Sequence, residues 1–244
     1  MSNLQTIEHD QLEGILRPAV DGKRRATLTY HGPRGWRMYK SQFESLSDRL
    51  RILVLKVRVP RDTPSNTIPR AGDMLGITFR LGQKKCMFAT RLGSISMDGD
   101  QSHVVVAWPD QIDQVQRRVC ERAAPPTNQA ISVRLVRERE SSGLLTKGNT
   151  VRYGQLEDLS VGGLSVKAAE VDEFEPGCTY RCIFTPIPAQ PSLTLKALVR
   201  HHEAANQHRA SIGLQFAGLE TSVRGRQLLR SLADIVSQFL RSRR

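Results

Sequence analysis

The chain has 244 residues, 39% hydrophobic and 25% charged, with 36 Lys and Arg against 24 Asp and Glu for a formal net charge of +12. That length supports one large domain or two of ordinary size, each with its own core. No apolar run approaches the roughly 18 residues of a membrane span, and the start MSNLQTIEHDQLEG lacks the basic-then-apolar layout of a signal peptide, so a soluble, cytoplasmic protein is expected.

Residues 8–19 form a short amphipathic segment with Leu12, Ile15 and Leu16 on one side and Pro18 near its end. Strand-like runs follow at 24–31, 36–46, 50–59, 74–81, 84–92 and 103–108. They are broken by Gly32-Pro33, the stretch Pro60 to Pro69, Gly72-Asp73, Gly82 and Asp98-Gly99. Short β-branched runs at this spacing predict a small antiparallel barrel or sandwich. A linker then spans 113–129: Pro109 ends the preceding strand, and Pro125-Pro126 stiffen the entry to the next. Further strands are predicted at 130–138, 151–159, 164–168, 179–186, 193–202 and 209–218. The last segment changes period: Val223, Leu228, Leu229, Leu232, Ile235, Val236, Phe239 and Leu240 recur at helical spacing, with Thr221 or Ser222 placed to cap. The expected fold is mainly β, with two small antiparallel β-barrels and a C-terminal amphipathic helix. The domains are read as 1–112, a linker at 113–129, and 130–244.

Charge is spread evenly, with 17 basic and 11 acidic residues in 1–110 and 19 and 13 in 111–244. Such a distribution is neither a basic tail nor a recognition helix, which makes nucleic acid an unfavoured partner. The 28 arginines against 8 lysines suit phosphate and guanine recognition, although a GC-rich genome produces the same bias. Cys86, Cys120, Cys178 and Cys182 are too sparse for a disulfide framework. Cys-x-x-x-Cys is also not the usual zinc spacing, so no metal site is expected. Gly-x-Ser-x-Gly, phosphate-loop and His-x-x-x-His motifs are missing from the sequence, and His201 and His202 are adjacent in a strand and face opposite ways. A binding protein is therefore expected, not an enzyme.

Two stretches carry the ligand chemistry. QRRVCER, residues 116–122, sets Arg118 and Arg122 four apart with Arg117 leading. EDLSVGGLSV, residues 157–166, reads Asp-x-Ser-x-x-Gly at Asp158, Ser160 and Gly163. Arginine forks can take phosphates and guanine O6 and N7. Asp158 can accept from guanine N1 and N2, with Ser160 beside it. Gly162 and Gly163 permit positive φ and close approach of the backbone to a ligand. Asp158 and Ser160 could equally be a turn bonded to its own backbone.

Arginines first and the Asp-x-Ser-x-x-Gly turn some 35 residues later resemble the cyclic di-GMP signature of PilZ domains. Residues 116–220 look like that family throughout, including Ile212, Gly213 and Phe216 of its Ile-Gly-x-x-Phe run. Residues 1–110 resemble the N-terminal module of YcgR-like flagellar brake proteins, in which a strand like KKCMFATRL precedes one ending in Trp-Pro, here Trp108-Pro109. The resemblance implies cyclic di-GMP as ligand, held by Arg117, Arg118, Arg122, Asp158, Ser160, Gly162 and Gly163, with no cofactor and no catalysis. It implies a switch in domain orientation and regulation of flagellar motility through a motor or switch protein, with recruitment to the basal body. A monomer or weak dimer is expected. Action on exopolysaccharide or secretion, or a nucleic-acid-binding barrel, stays open as an alternative. The chain departs from the family in lacking an aromatic between the motif arginines and in carrying Glu121 there. That leaves open whether one or two nucleotides bind.

Overall fold

In the computed structural model the described residues are 4–33, 35–60, 63, 68–98, 101–116, 122–138, 150–169, 174–206 and 209–242. They form two compact units, one of Met1–Arg117 with Glu220–Arg226, the other of Arg118–Leu219 with Gln227–Arg244.

The first unit holds β1 (Leu4–Glu8), α1 (Glu13–Asp21), β2 (Arg25–Gly32), β3 (Gly35–Ser47), β4 (Ile52–Arg58), β5 (Met74–Leu81), β6 (Lys84–Asp98), β7 (Gln101–Ala107) and β8 (Gln111–Gln116). The sheet order is β1-β8-β6-β5-β2-β3-β4-β7, and β6 also pairs with β7. At 15 residues, β6 is long enough to serve two neighbours in succession. It takes β5 over Lys84–Arg91 and β7 over Leu92–Asp98, which curls the sheet back on itself. Alternating inward residues fill the core, where Phe79 meets Phe43 and Phe88 edge-on at centroid distances of 4.9 and 6.2 Å. Trp108 is fixed by its indole N–H donating to the Ile52 carbonyl at 3.2 Å and by the Arg51 guanidinium 4.1 Å above its ring.

Two strands of this unit are not predicted from the sequence, β1 and β8, and β8 takes up residues 113–116 of the expected linker. They pair with each other, and β8 also joins β6. The reason lies in partners distant along the chain. Asp113 and Gln114 are buried, and the Asp113 carboxylate accepts from Thr6 Oγ1 at 2.8 Å while Gln114 Oε1 accepts from Lys84 Nζ at 3.0 Å. QIDQVQ is too polar to read as a core strand until those partners are in place.

The second unit contains β9 (Ser132–Arg137), β10 (Val151–Ser160), β11 (Gly163–Ala168), β12 (Thr179–Phe184), β13 (Leu193–Asn206) and β14 (Arg209–Phe216). They close into a barrel in the order β10-β11-β14-β13-β12-β9, which leaves no free sheet edge. The inward rows include Val133, Leu135, Leu156, Leu164, Val166, Cys182, Leu195, Ile212 and Leu214, all buried. The C-terminal helix α2 (Val223–Arg241) follows. Ser222 caps it, its Oγ accepting from the Gly225 N–H at 3.0 Å. Leu229, Leu232, Ala233, Ile235, Val236 and Phe239 form its buried face, while Val223, counted with that face from its spacing, is 64% exposed. As the first residue of the helix it lies beyond the packed stripe.

Candidate ligand-binding site

The Asp-x-Ser-x-x-Gly residues lie at the β10–β11 hairpin. Ser160 pairs with Gly163 across a two-residue turn, Val161-Gly162. The Ser160 hydroxyl accepts from the Gly162 N–H and donates to the Gly163 carbonyl, each at 3.2 Å. The local-turn reading of this serine is therefore realised in the structure, and the same bonds hold the hairpin rigid. Neither Gly162 nor Gly163 is among the residues with positive φ, contrary to the conformational reason expected for them. Gly163 is needed for space instead. A Cβ there would fall on the Leu214 carbonyl oxygen and lie 3.2 Å from Gln215 Cα, so glycine lets β11 approach β14.

Asp158 owes its direction to a bulge. Leu156 opposes Val166, Asp158 opposes Ser165, and Glu157 is the extra residue between them. Strict alternation from inward-facing Leu156 would turn Asp158 into the core. The inserted Glu157 turns it outward, onto the face that carries Ser160 two residues on.

The two motifs meet through the backbone as well as through side chains. Ala123 and Leu159 exchange both N–H···O bonds at 2.9 Å, docking the segment after the arginines onto β10. Arg122 Nη1 then lies 3.4 Å from Asp158 Oδ2, with the arginine side chain 55% exposed and the aspartate 24%. The other carboxylate oxygen, Asp158 Oδ1, is buried and has no hydrogen-bond partner among the described residues. An oriented but unsatisfied acceptor beside an exposed guanidinium can receive a donor edge while the cation takes an anion. Arg117 and Arg118 fall outside the described residues.

The sequence reading missed the polar residues that support this face. Ser165 and Ser211, on neighbouring strands, donate to Glu157 Oε2 at 3.1 and 2.5 Å and lie 2.9 Å apart. They ally the bulge residue with β11 and β14. Only the cross-strand register could reveal this, because the three are up to 54 residues apart in sequence. A shallow groove of roughly 470 Å³ elsewhere on the barrel is lined by Gln129, Ser132, Arg134, Thr185 and Ser192 among others and includes none of the motif residues.

Comparison with known proteins accords with this architecture. The family model described as PilZ domain matches residues 116–234. No curated protein matches the sequence. Among solved structures, K. pneumonia MrkH in its apo state aligns with a TM-score of 0.55 at 12% identity, covering 97% of this chain and 98% of that one. A second K. pneumonia MrkH crystal structure aligns with a TM-score of 0.54 at 13% identity, covering 99% and 97%. Escherichia coli YcgR in complex with c-di-GMP is 18% identical over 97% of this chain and 92% of that one, with a TM-score of 0.38. Identities this low speak to fold alone. Residues 116–234 are a PilZ domain, and a further β-unit precedes it in the sequence.

Proposed function

We propose that this protein is a cyclic di-GMP receptor that binds the nucleotide on the outer face of the second barrel. Arg117, Arg118 and Arg122 supply cations and forked donors, Asp158 accepts from a guanine edge, and Ser160, Gly162 and Gly163 form the turn beneath. The observation that carries this reading is the Arg122–Asp158 pair at 3.4 Å with Asp158 Oδ1 left unsatisfied. A purine donor edge fills that vacancy, and a dinucleotide with two phosphates suits the arginine run.

The arginines lie in sequence where the first unit gives way to the second, so a ligand that binds them acts on the segment that joins the units in sequence. A switch requires that the ligand bind one arrangement of the units more tightly than another, and we propose that the arginines supply that difference. Resemblance of residues 1–110 to the flagellar brake module points to a flagellar motor or switch protein as the target, and to action by protein contact in place of catalysis.

Titration calorimetry with cyclic di-GMP, using GTP and cyclic GMP as controls, tests the ligand. Saturable binding specific to the cyclic dinucleotide is expected; its absence sinks the proposal. Arg118→Ala and Asp158→Ala should each lose about 10–100-fold in affinity, the scale of a charged hydrogen bond, while far-UV circular dichroism stays unchanged. Small-angle scattering with and without ligand tests the switch, and ligand-dependent capture of purified motor-switch proteins tests the target.

A further inference from the structure

Basic charge is spread evenly along the sequence, but the register of the first unit gathers part of it onto one face. On β2, β3, β4 and β5 the core takes Ala26, Leu28, Tyr39, Phe43, Leu55 and Phe79 among others, so the alternate positions point outward. Five of those positions are cations. Arg25 lies opposite Gln42, which lies opposite Lys56. Arg80 stands beside Arg25, one residue on from the Ala26–Phe79 pair. In the neighbouring row, Lys40 and Arg58 stand side by side, one residue on from the Ser41–Val57 pair. Thr27 lies opposite Lys40, and Thr78 opposite Thr27. Arg25, Lys40, Arg58 and Arg80 are exposed, and Lys56 is half-buried. None of the five makes an ion pair among the described residues. Glu44, the bulge residue of β3, faces His103 Nε2 instead, at 3.3 Å.

We infer that this face of the first unit binds the phosphate backbone of a nucleic acid without reading its sequence. From β5 to β4 the two rows hold only Arg, Lys, Thr and Gln, the side chains that contact phosphate. They carry no apolar side chain. Firm attachment to a bilayer surface draws on buried apolar area as well as charge, and the centre of a protein interface draws on apolar or aromatic anchors. A phosphate backbone needs neither. The patch spans three strand spacings, about 14 Å, with its rows about 7 Å apart. One strand of a duplex presents a charge every 3.4 Å or so, so about four phosphates pass over that length. The five cations lie outside residues 116–234 and outside both ligand motifs, and the inference does not depend on the receptor reading.

The test is fluorescence anisotropy of a short labelled DNA duplex of arbitrary sequence with the full-length protein, over a series of salt concentrations. If all five cations meet phosphates, log K should fall against log salt with a slope of about −4.5, a loss of about 500-fold between roughly 50 and 200 mM. Lys40→Gln with Arg58→Gln should flatten the slope by about two, and Arg25→Glu with Lys40→Glu should abolish binding. Arg230→Gln, an exposed position on α2, should leave the slope near the wild-type value less the small effect of net charge. Scrambling the duplex sequence should change nothing. Failure of the wild type to bind the duplex overturns the inference. So does an equal effect of Arg230→Gln and Lys40→Gln, which would assign binding to the overall charge of +12. Capture by vesicles rich in anionic lipid, at salt where the duplex is not held, would overturn it in favour of a membrane surface. Far-UV circular dichroism of each variant confirms that the fold is kept.

Discussion

Cys182 and Asp158 show how the same barrel wall treats inward and outward polar residues. Cys182 is fully buried on β12, and burial pushes its thiol up to about 12. A group held protonated in the fold contributes stability in full below the ordinary thiol pKa and loses it as pH rises toward that raised value. The wild type should therefore lose more stability than Cys182→Ala between about pH 8 and pH 10.5, as measured by urea midpoints for both proteins. Identical slopes would mean the thiol does not couple to folding. Cys178, half-buried beside Arg137 Nη2 at 3.1 Å, should be alkylated in the native state while Cys182 resists. Asp158 was identifiable as a candidate because its spacing to Ser160 and Gly163 is written in the chain. Its outward direction was not, since Leu156 and Asp158 share a parity that would place both inside. The bulge that separates them depends on pairing with β11.

At the scale of elements, strand periodicity carried far. The run predicted at 74–81 is β5 to the residue, and most other strands match within a few positions. What failed was β1 and β8, where burial of Asp113 and Gln114 depends on side chains from other strands. Glycines at contacts between strands were equally opaque. Gly154 leaves room for Val166 and for the Lys167 carbonyl, 2.8 Å from where its Cβ would stand, and Gly163 does the same against β14. Replacing Gly163 with Ala should cost about 1–3 kcal/mol, because backbone atoms cannot step aside as a flexible side chain does. Denaturant unfolding followed by the second unit's Tyr180 environment would register it. A neutral Gly163→Ala variant would show that β11 and β14 can separate without penalty.

At the scale of the molecule, the division of the chain is not a simple cut. Glu220–Arg226 belong with the first unit although they follow the second barrel in sequence. Glu220 is buried there, its carboxylate accepting from the Thr29 hydroxyl, which also lies 3.1 Å from the Gly76 carbonyl. A side chain at Gly76 would collide with that carboxylate. Glu220→Ala should destabilise the first unit by about 1–3 kcal/mol, the cost of stripping a partner from buried polar groups. Gly76→Ala should displace the same carboxylate, so the double variant should cost less than the sum of the two, a coupling that a denaturation cycle measures. Full additivity would mean the two sites are independent.

By itself the sequence determined that the chain is mainly β with a terminal amphipathic helix. It also determined that arginines and an Asp-x-Ser-x-x-Gly turn are the residues to follow, because periodicity, turn chemistry and motif spacing are local properties. Only tertiary structure decided that Arg122 meets Asp158, that Gly163 serves close packing, and that residues 220–226 join the first unit. Each of these depends on which strands lie side by side and in what register, and a single bulge changes which face a side chain reaches.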